Sequence, residues 1–382
     1  MGNKLLEVQK FGQSIWYDNI RRGIITSGQL QGMIDGDGLL GITSNPSIFE
    51  KAIVESSDYD QAIKALVSQG CGSPVAIYEK LAIEDIQLAA DMMHPVFVKT
   101  GGRDGWVSFE VAPDLAHDAE GTIDYARRVH AALGRENILI KVPGTPAGMP
   151  AITQLISEGI SVNVTLLFSV KAYEDCALAY IEGLERYSSG GRDPGRVASV
   201  ASFFISRIDS LIDKWIEKAA KEATDAGKKA RLEKLVGKIA IANGIVAYEK
   251  YKELIGGARW QALAAKGART QRVLWASTST KDARFSKTKY VDELIAQDTV
   301  NTIPEETFVA YRDQGHPSAG LANGWDRQLA DAKATMRELA DLGISIDDAT
   351  SELLADGVKK FADAFQGLLA SVEKKRSVLR AA

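Results

Sequence analysis

Eight short apolar runs alternate with longer amphipathic segments along this chain, and this alternation limits the possible folds more than any other feature. Most of the runs are almost continuously apolar, which favours parallel strands buried on both faces. A strand followed by a helix, repeated eight times, predicts an α/β fold, a (β/α)8 TIM barrel with additional helices. The candidate strands are residues 14–18, 39–45, 106–111, 137–143, 160–168, 197–204, 272–278 and 298–303.

The main alternative is an open, doubly wound parallel sheet. Such a sheet normally has a glycine-rich turn directly after its first strand. The dense glycine cluster early in this chain, GGRDG at 101–105, instead precedes a candidate strand. The barrel is therefore the better interpretation.

The chain has 382 residues, whereas a minimal barrel needs about 250. We expect a single domain over residues 1–382, with helical insertions at about 46–105 and 205–270 and with C-terminal helices. The clearest helix start is Ser73 followed by Pro74, a capping residue and then a proline at the first helical position. Further helices are predicted at about 121–134, 147–158, 169–187, 205–226, 324–343 and 345–375, and the charge-rich segment 217–238 is interpreted as a solvated helical hairpin.

Charge and cysteine content argue against several functional classes. With 46 Lys and Arg against 50 Asp and Glu, the formal net charge is −4, so we expect no nucleic-acid partner and no binding to membranes. The four histidines are scattered singly, and we expect neither a metal ion nor a cofactor. Cys71 and Cys176 suit free thiols in a reducing compartment, and neither a signal peptide nor a membrane-spanning apolar run is evident. The sequence therefore predicts a cytoplasmic protein.

Several candidate strands have one apolar and one polar face, because alternate side chains of a strand share a face. In NILIKVP, Lys141 shares a face with Leu139, and in WVSFEV, Glu110 shares one with Ser108. We expect the polar faces to line the barrel interior near the C-terminal ends of the strands, where barrel enzymes have their active sites. The predicted interior set is Asp18, Asn45, Glu110, Lys141, Asn163, Thr165, Ser202 and Ser277, with Thr43, Phe204, Trp16 and Trp275 on the same faces.

Two carboxylates, one lysine and several amides and hydroxyls at one end of a barrel indicate chemistry on a polyhydroxylated substrate. A lysine is nucleophilic when neutral, a form that burial favours, and it can then form a Schiff base with a ketone. The protonated imine withdraws electrons, so a neighbouring carbon–carbon bond can break, and Asp18 and Glu110 suit the proton transfers. The alternatives are a lysine that snorkels to solvent and a structural Lys–Glu ion pair. This combination of a lysine, two carboxylates and several amides and hydroxyls favours a Schiff-base aldolase or transaldolase.

Seven segments closely resemble the transaldolase family, in particular its longer bacterial branch. They are SIWYDNIRRG, GITSNPSIFEKAI, GWVSFEVAPDLA, NILIKVPGTPAGMPAI, GISVNVTLLFS, SVASFFISRID and NTIPEETF, in this order between about residues 12 and 320. The resemblance implies transfer of a dihydroxyacetone unit from sedoheptulose 7-phosphate or fructose 6-phosphate to glyceraldehyde 3-phosphate or erythrose 4-phosphate, in the non-oxidative pentose phosphate pathway. Sugar phosphates are then the expected partners.

The resemblance also implies individual roles. Lys141 corresponds to the Schiff-base lysine, Asp18 to the acid/base residue for carbon–carbon cleavage, and Glu110 to a glutamate that works through a water molecule. Arg207 corresponds to an arginine that binds the sugar phosphate, for which a planar guanidinium is well suited. Asn45, Asn163, Thr165 and Ser202 correspond to substrate-positioning residues, and Thr43 and Phe204 join them as candidates.

One segment departs from the better-known family pattern. Many transaldolases follow the seventh strand with Ser-Phe-Arg, whose serine and arginine contact phosphate, whereas this chain has WASTSTKDARF. Ser277 fits the serine, but Ser279 stands at the arginine position. We assign the missing charge to Lys281, the nearest cation, with Arg284 and an uninvolved, solvated Lys281 as the alternatives.

Two other functions are alternatives. A fructose 6-phosphate aldolase-like lyase would release free dihydroxyacetone, but such enzymes tend to have tyrosine and glutamine where this chain has Phe204 and Glu110. A catalytically silent barrel that serves in an assembly would be expected to lose the lysine or an acid, and these residues are all present. The longer branch includes fusions to phosphoglucose isomerase, so fusion to or association with that enzyme is a further partner hypothesis, although no isomerase segment occurs here.

Overall fold

The computed structural model describes residues 2–381, apart from the side chains of Glu55, Arg380 and Ala381. Eight parallel strands form a closed barrel in chain order, and the last strand pairs with the first. The predicted (β/α)8 barrel is confirmed. The strands are β1 (Gln13–Tyr17), β2 (Gly41–Ile42), β3 (Trp106–Glu110), β4 (Ile138–Pro143), β5 (Val162–Leu167), β6 (Ser199–Phe204), β7 (Arg272–Ala276) and β8 (Thr299–Ile303).

Helices surround the barrel, and the segments 46–105 and 205–270 contain several of them. None of the helices within residues 2–381 is both long enough and apolar enough to cross a membrane. The helices are α1 (Lys4–Gln9), α2 (Arg22–Thr26), α3 (Gln29–Asp37), α4 (Pro46–Glu55), α5 (Asp60–Ser68), α6 (Pro74–Lys99), α7 (Ala119–Leu133), α8 (Gly148–Glu158), α9 (Val170–Ser189), α10 (Ser206–Glu222), α11 (Ala226–Glu233), α12 (Ile239–Gly256), α13 (Ala258–Ala264), α14 (Lys289–Asp292), α15 (Glu305–Gln314), α16 (Trp325–Asp341) and α17 (Ile346–Ala381).

Local sequence signals set the helix boundaries close to the predicted positions. α6 begins at Pro74, with Ser73 as its N-cap residue. Asp118 caps α7 by accepting a hydrogen bond from Gly121 N, and Gly134 ends this helix with a φ of 55°. A glycine adopts this left-handed conformation at little cost, whereas another residue would be strained.

The second strand is much shorter than the predicted run 39–45. Thr43 N still donates a hydrogen bond of 2.9 Å to Tyr17 O of β1. The chain then turns into α4, where Asn45 is the N-cap residue and accepts a hydrogen bond from Ile48 N at 3.2 Å. Capping thus draws Thr43 and Asn45 out of the sheet and places them at the mouth of the barrel.

A buried ionic network closes the opposite, N-terminal end of the barrel. Arg272 Nη2 lies 2.9 Å from Asp104 Oδ1, and Arg272 Nη1 donates to Ser14 Oγ at 2.8 Å. Ser14 Oγ and Trp16 Nε1 both donate to the Asp104 carboxylate, at 2.8 and 3.0 Å. Each buried charge therefore has a partner and hydrogen bonds, as burial of an ion pair requires. The polar residues at this end of the barrel therefore stabilise the fold, and in this respect they differ from the polar residues at the mouth.

Trp275 faces outward and not into the barrel, so its predicted position is wrong. Its Nε1 donates a hydrogen bond to Leu294 O at 2.9 Å, and its ring packs edge-on against Phe203 with 6.3 Å between centroids. The prediction assumed that alternation continues to Ser277, but β7 ends at Ala276 and Ser277 has a φ of 54°. This left-handed residue breaks the alternation and returns Ser277 to the cavity.

The last helix, α17, crosses the C-terminal end of the barrel. It packs against α4, α5, α6 and α10 and also contacts β5. Its buried residues recur at intervals of three and four, as expected for the apolar side of a helix. These buried residues include Phe361, Phe365, Leu368 and Val372. A helix from the end of the chain therefore forms part of the barrel mouth.

Candidate active site

A cavity of about 770 Å³ opens at the C-terminal ends of the strands. Glu110 and Asn163 are buried behind the cavity wall, where Glu110 forms an ion pair with Lys141 and Asn163 accepts a hydrogen bond from Ser202. The other ten candidate residues line the cavity. These ten are Asp18, Thr43, Asn45, Lys141, Thr165, Ser202, Phe204, Arg207, Ser277 and Lys281.

Lys141 and Glu110 form a buried ion pair below the cavity. The strand register sets Glu110 of β3 opposite Lys141 of β4. Lys141 Nζ lies 3.1 Å from Glu110 Oε2 and donates a hydrogen bond of 3.0 Å to Ser44 O. Lys141 is only 5% exposed, so the interpretation of a lysine that snorkels to solvent is excluded.

Glu110 is poised to hold or release a proton near neutral pH. Burial raises the pKa of its carboxyl to about 7, with a smaller contribution from the Asp18 charge, although the Lys141 ammonium acts in the opposite direction. Apart from the ion pair with Lys141, neither carboxylate oxygen has a hydrogen-bond partner within the described residues. An orphaned buried oxygen favours a donor such as a water molecule or a substrate hydroxyl.

A chain of hydroxyl groups holds Asp18 at the end of β1. Thr43 Oγ1 donates to Asp18 Oδ1 at 2.6 Å and lies 2.6 Å from Thr302 Oγ1. Because each hydroxyl carries one proton, Thr302 must be the donor to Thr43. Asp18 therefore receives a directed hydrogen bond that fixes the carboxylate beside the cavity.

A second polar chain supports the wall formed by β5 and β6. Ser202 Oγ donates to Asn163 Oδ1 at 2.7 Å, and Asn163 Nδ2 donates to Ser108 Oγ at 3.1 Å. Thr165 Oγ1 is buried beside the cavity without a hydrogen-bond partner among the described residues. Asn163 thus orients Ser202, which lines the cavity. The Thr165 hydroxyl remains available for a hydrogen bond to a ligand.

The first turn of α10 brings Arg207 to the cavity. Its guanidinium lies over the Phe204 ring, 5.0 Å from the centroid, and its Nη1 is buried with no partner among the described residues. Nearby, Ser206 Oγ lies 3.0 Å from Ser277 Oγ. A helix N-terminus with an arginine and hydroxyl groups is a favourable environment for an anion.

The structure distinguishes Lys281 from Arg284, the two cations considered for the loop after β7, where the sequence differs from the better-known family pattern. Lys281 lines the cavity. Arg284 instead forms ion pairs with Asp282 and Glu217 on the outer surface, at 3.0 Å to Glu217 Oε1. Arg284 is therefore wrong as the alternative to Lys281, because its charge is already bound and directed elsewhere.

The comparison with known proteins covers almost the whole chain. Residues 15–372 match the sequence model of the transaldolase/fructose-6-phosphate aldolase family. The chain belongs to this family. A transaldolase of Trichodesmium erythraeum is 50% identical over 375 residues, which are 98% of this chain and 97% of the relative. Transaldolase 2 of a Nostoc strain is 49% identical over 380 residues, and a transaldolase of Acidothermus cellulolyticus is 46% identical over 374. In both cases, 98% or more of this chain and at least 97% of the relative are covered.

Membership of the transaldolase/fructose-6-phosphate aldolase family confirms the resemblance, and the cavity adds residues that the sequence analysis missed. Thr302 could have been found from strand alternation, since it shares a face with Val300. Arg21 and Lys51 occur within the family-like segments, but no local pattern assigns them to the cavity. Lys360 and Phe361 belong to α17, whose position the sequence does not reveal. The missed residues of the cavity wall include Arg21, Lys51, Thr302, Lys360 and Phe361.

A metal centre and acid–base catalysis place different requirements on the side chains of this site. Within residues 2–381, no group of three or more His, Cys, Asp or Glu side chains is arranged to hold a metal ion. At the base of the cavity, Lys141 lies beside the Glu110 carboxylate, and Asp18 lines the same cavity, an arrangement that suits covalent and acid–base catalysis.

Proposed function

We propose that this protein is a transaldolase that transfers a dihydroxyacetone unit between sugar phosphates through a Schiff base on Lys141. The observation that carries the proposal is the buried Lys141 amine, 3.1 Å from Glu110 Oε2 at the base of a cavity that Asp18 also lines. A buried lysine beside a proton acceptor can form the neutral amine that attacks a ketone. The expected cellular setting is the non-oxidative pentose phosphate pathway of the cytoplasm.

Schiff-base formation uses the Lys141–Glu110 pair. Lys141 gives a proton to Glu110, directly or through a water molecule, and its nitrogen then attacks the C2 carbonyl of the ketose phosphate. A proton moves from this nitrogen to the new alkoxide to give the carbinolamine, and Glu110 then returns its proton to the carbinolamine hydroxyl, which leaves as water and produces the protonated imine. The raised pKa of Glu110, about 7, lets the same carboxyl serve in both directions near neutral pH.

Carbon–carbon cleavage uses Asp18. The carboxylate takes the proton of the C4 hydroxyl while the C3–C4 bond breaks and its electron pair moves into the imine. An aldose phosphate leaves, and an enamine stays on Lys141. When the acceptor aldehyde binds, the enamine attacks its carbonyl carbon, and Asp18 gives its proton to the aldehyde oxygen, which becomes the new hydroxyl. The hydrogen bond from Thr43 at 2.6 Å keeps Asp18 oriented for both transfers.

The polar groups of the cavity suit the rest of a sugar phosphate. Arg207 and the N-terminus of α10 would bind the phosphate, together with Ser277 and Lys281 on the neighbouring loop after β7. Asn45, Thr165 and Ser202 would bind the hydroxyl groups of the sugar. The unpartnered atoms Thr165 Oγ1 and Arg207 Nη1 are supporting evidence, since a bound ligand would satisfy both.

The acceptor requirement separates a transferase from a lyase. With fructose 6-phosphate alone, a transaldolase should form its enamine and stop after about one turnover, whereas adding erythrose 4-phosphate should restore continuous turnover. A coupled assay for the released glyceraldehyde 3-phosphate measures both conditions. Sustained production of free dihydroxyacetone without an acceptor, at a rate similar to that of transfer, would contradict the proposal and favour the lyase.

Replacing Glu110 by glutamine should remove an acid limb from the pH profile. In the wild type, Glu110 becomes protonated as the pH falls through about 7, and the Lys141 ammonium then has no proton acceptor. We therefore expect kcat/KM, which reports the free enzyme, to fall below that pH in the wild type. In Glu110→Gln, kcat/KM should be about 10²–10³-fold lower and should not show this fall. The measurement is kcat/KM for the donor between pH 5 and 9.

Stability should follow the opposite trend, which provides an internal control. Because the folded state raises the pKa of Glu110 from its ordinary 4.5 to about 7, its contribution favours folding below pH 4.5 and is lost as the pH rises through 7. Wild-type stability relative to Glu110→Gln should thus decline over this interval in urea titrations. A Gln variant that keeps the acid limb of the activity profile would refute the role given to Glu110.

A further inference from the structure

Phe361 of α17 lies over the nitrogen atom at which the proposed chemistry occurs. Its ring centroid is 5.8 Å from Lys141 Nζ, the residue is 6% exposed, and it lines the cavity. The nitrogen itself is also held from below by Glu110 and Ser44. The amine therefore has polar partners on one side and an aromatic ring on another.

Gly357 of α17 and Leu166 of β5 lie against each other where α17 packs on the barrel, near this contact. Gly357 lies one helical turn before Phe361, and a methyl group on Gly357 would be 2.9 Å from Leu166 Cδ2 of β5 and 3.7 Å from Arg207 Nη1. Leu166 itself has a φ of 61°, a left-handed conformation that is unusual for leucine and interrupts the β5–β6 register. Glycine within a helix and strain in a strand both disfavour folding locally. Because both unfavourable features occur at this contact, we infer that close packing of α17 against the barrel is needed here.

We propose that Phe361 shields the enamine on Lys141 from bulk water and thereby commits the dihydroxyacetone unit to transfer instead of release. This inference rests on the proposed transaldolase function. The enamine carbons lie within two bonds of Lys141 Nζ, so a ring over this nitrogen also covers them. An apolar ring on this side keeps bulk water away from the enamine carbon and adds no proton donor of its own.

The reaction that Phe361 suppresses consumes one water molecule. One proton of the water is added to the enamine carbon that formed the broken bond, which gives an iminium ion. The oxygen adds to C2 and becomes the carbonyl oxygen of dihydroxyacetone. The second proton ends on Lys141 Nζ as the C–N bond breaks, so the free enzyme and dihydroxyacetone are the only products.

The test measures the ratio of two rates in Phe361→Leu and Phe361→Ala. One rate is acceptor-free release of dihydroxyacetone from fructose 6-phosphate, and the other is transfer to erythrose 4-phosphate. Phe365→Leu is the matched control, because Phe365 is also buried on α17 but packs edge-on against Tyr78, with 5.6 Å between centroids, away from the cavity. Circular dichroism and thermal melts establish that each variant is folded.

We expect the ratio of release to transfer to rise about tenfold or more in Phe361→Ala, which corresponds to about 1.4 kcal/mol in relative barrier height. A smaller rise is expected in Phe361→Leu and none in Phe365→Leu. A merely structural role would lower both rates together, so an unchanged ratio in folded Phe361 variants overturns the proposal, as does an equal rise in Phe365→Leu. If instead the proposed transaldolase function itself is wrong, the wild type will form no adduct on borohydride reduction and will show no transfer, so the two failures can be told apart.

Discussion

Replacing Lys141 by alanine should abolish turnover while the barrel stays folded. Loss of a covalent nucleophile typically reduces kcat by about 10⁵-fold or more, and the cavity has no second amine against Glu110 that could replace it within the described residues. The fold should survive, because Glu110 can take up a proton when its ion-pair partner is removed; burial already raises the pKa of this carboxyl to about 7. Steady-state transfer assays with fructose 6-phosphate and erythrose 4-phosphate measure the loss.

Two further variants make the Lys141 result specific. Lys141→Met retains most of the side-chain volume without the amine, so it should be as inactive as alanine and at least as stable. Lys359→Ala removes an exposed lysine of α17 that pairs with Asp363, and its activity should be close to that of the wild type. Activity above about 1% in a folded Lys141→Ala would exceed the expected residual of non-covalent catalysis and contradict the assignment.

Replacing Asp18 by asparagine should slow carbon–carbon cleavage by about 10³-fold, within the range for loss of a general acid–base group. Asparagine can still accept the Thr43 hydrogen bond, so the local structure should be retained. It cannot take the hydroxyl proton, and formation of the Schiff base on Lys141 does not require it to do so. An imine or carbinolamine adduct should therefore accumulate, which mass spectrometry of the intact protein can detect after reduction.

The accumulation of the adduct distinguishes Asp18 from a residue needed only for binding. A binding defect would reduce the adduct together with turnover. Asp114→Asn, which changes an exposed carboxylate after β3, is the control and should leave both quantities unchanged. An Asp18→Asn protein that turns over at the wild-type rate, or that is inactive without any adduct, would remove Asp18 from its proposed role.

Strand alternation predicted the centre of the site because the strands there are regular. Glu110 and Lys141 occupy opposed positions of β3 and β4, and their polar faces could be identified without knowledge of any helix. The same argument placed Thr165 and Ser202 at the cavity. Period-two alternation thus fixes which side chains meet as long as the backbone remains extended.

The argument failed where the backbone leaves the extended conformation. Ser277 has a positive φ, so the face assigned to Trp275 from their shared parity was wrong. Leu166 shows the same departure near the end of β5, where the register with β6 shifts. These left-handed positions are occupied by serine and leucine and not by glycine, so the sequence carried no signal of them.

Contacts that depend on tertiary packing were also missed. Asp104 and Arg272 are 168 residues apart in the sequence, and nothing in the segments around them indicates that they pair. Phe361 was assigned to a helix correctly, but the strand–helix pattern ends with the eighth strand and does not determine where a following helix packs. The shielding role proposed for Phe361 therefore could not have been inferred before the structure.

The most direct test of the central claim is borohydride reduction in the presence of fructose 6-phosphate, followed by mass spectrometry of the digested protein. Reduction converts an imine into a stable amine, and a dihydroxyacetone-derived or ketose-derived adduct should appear on the peptide that contains Lys141 and be absent when sugar or borohydride is omitted. If the folded protein binds the sugar and yields no adduct, or yields one on another lysine, Lys141 is a structural residue and the proposed mechanism is wrong.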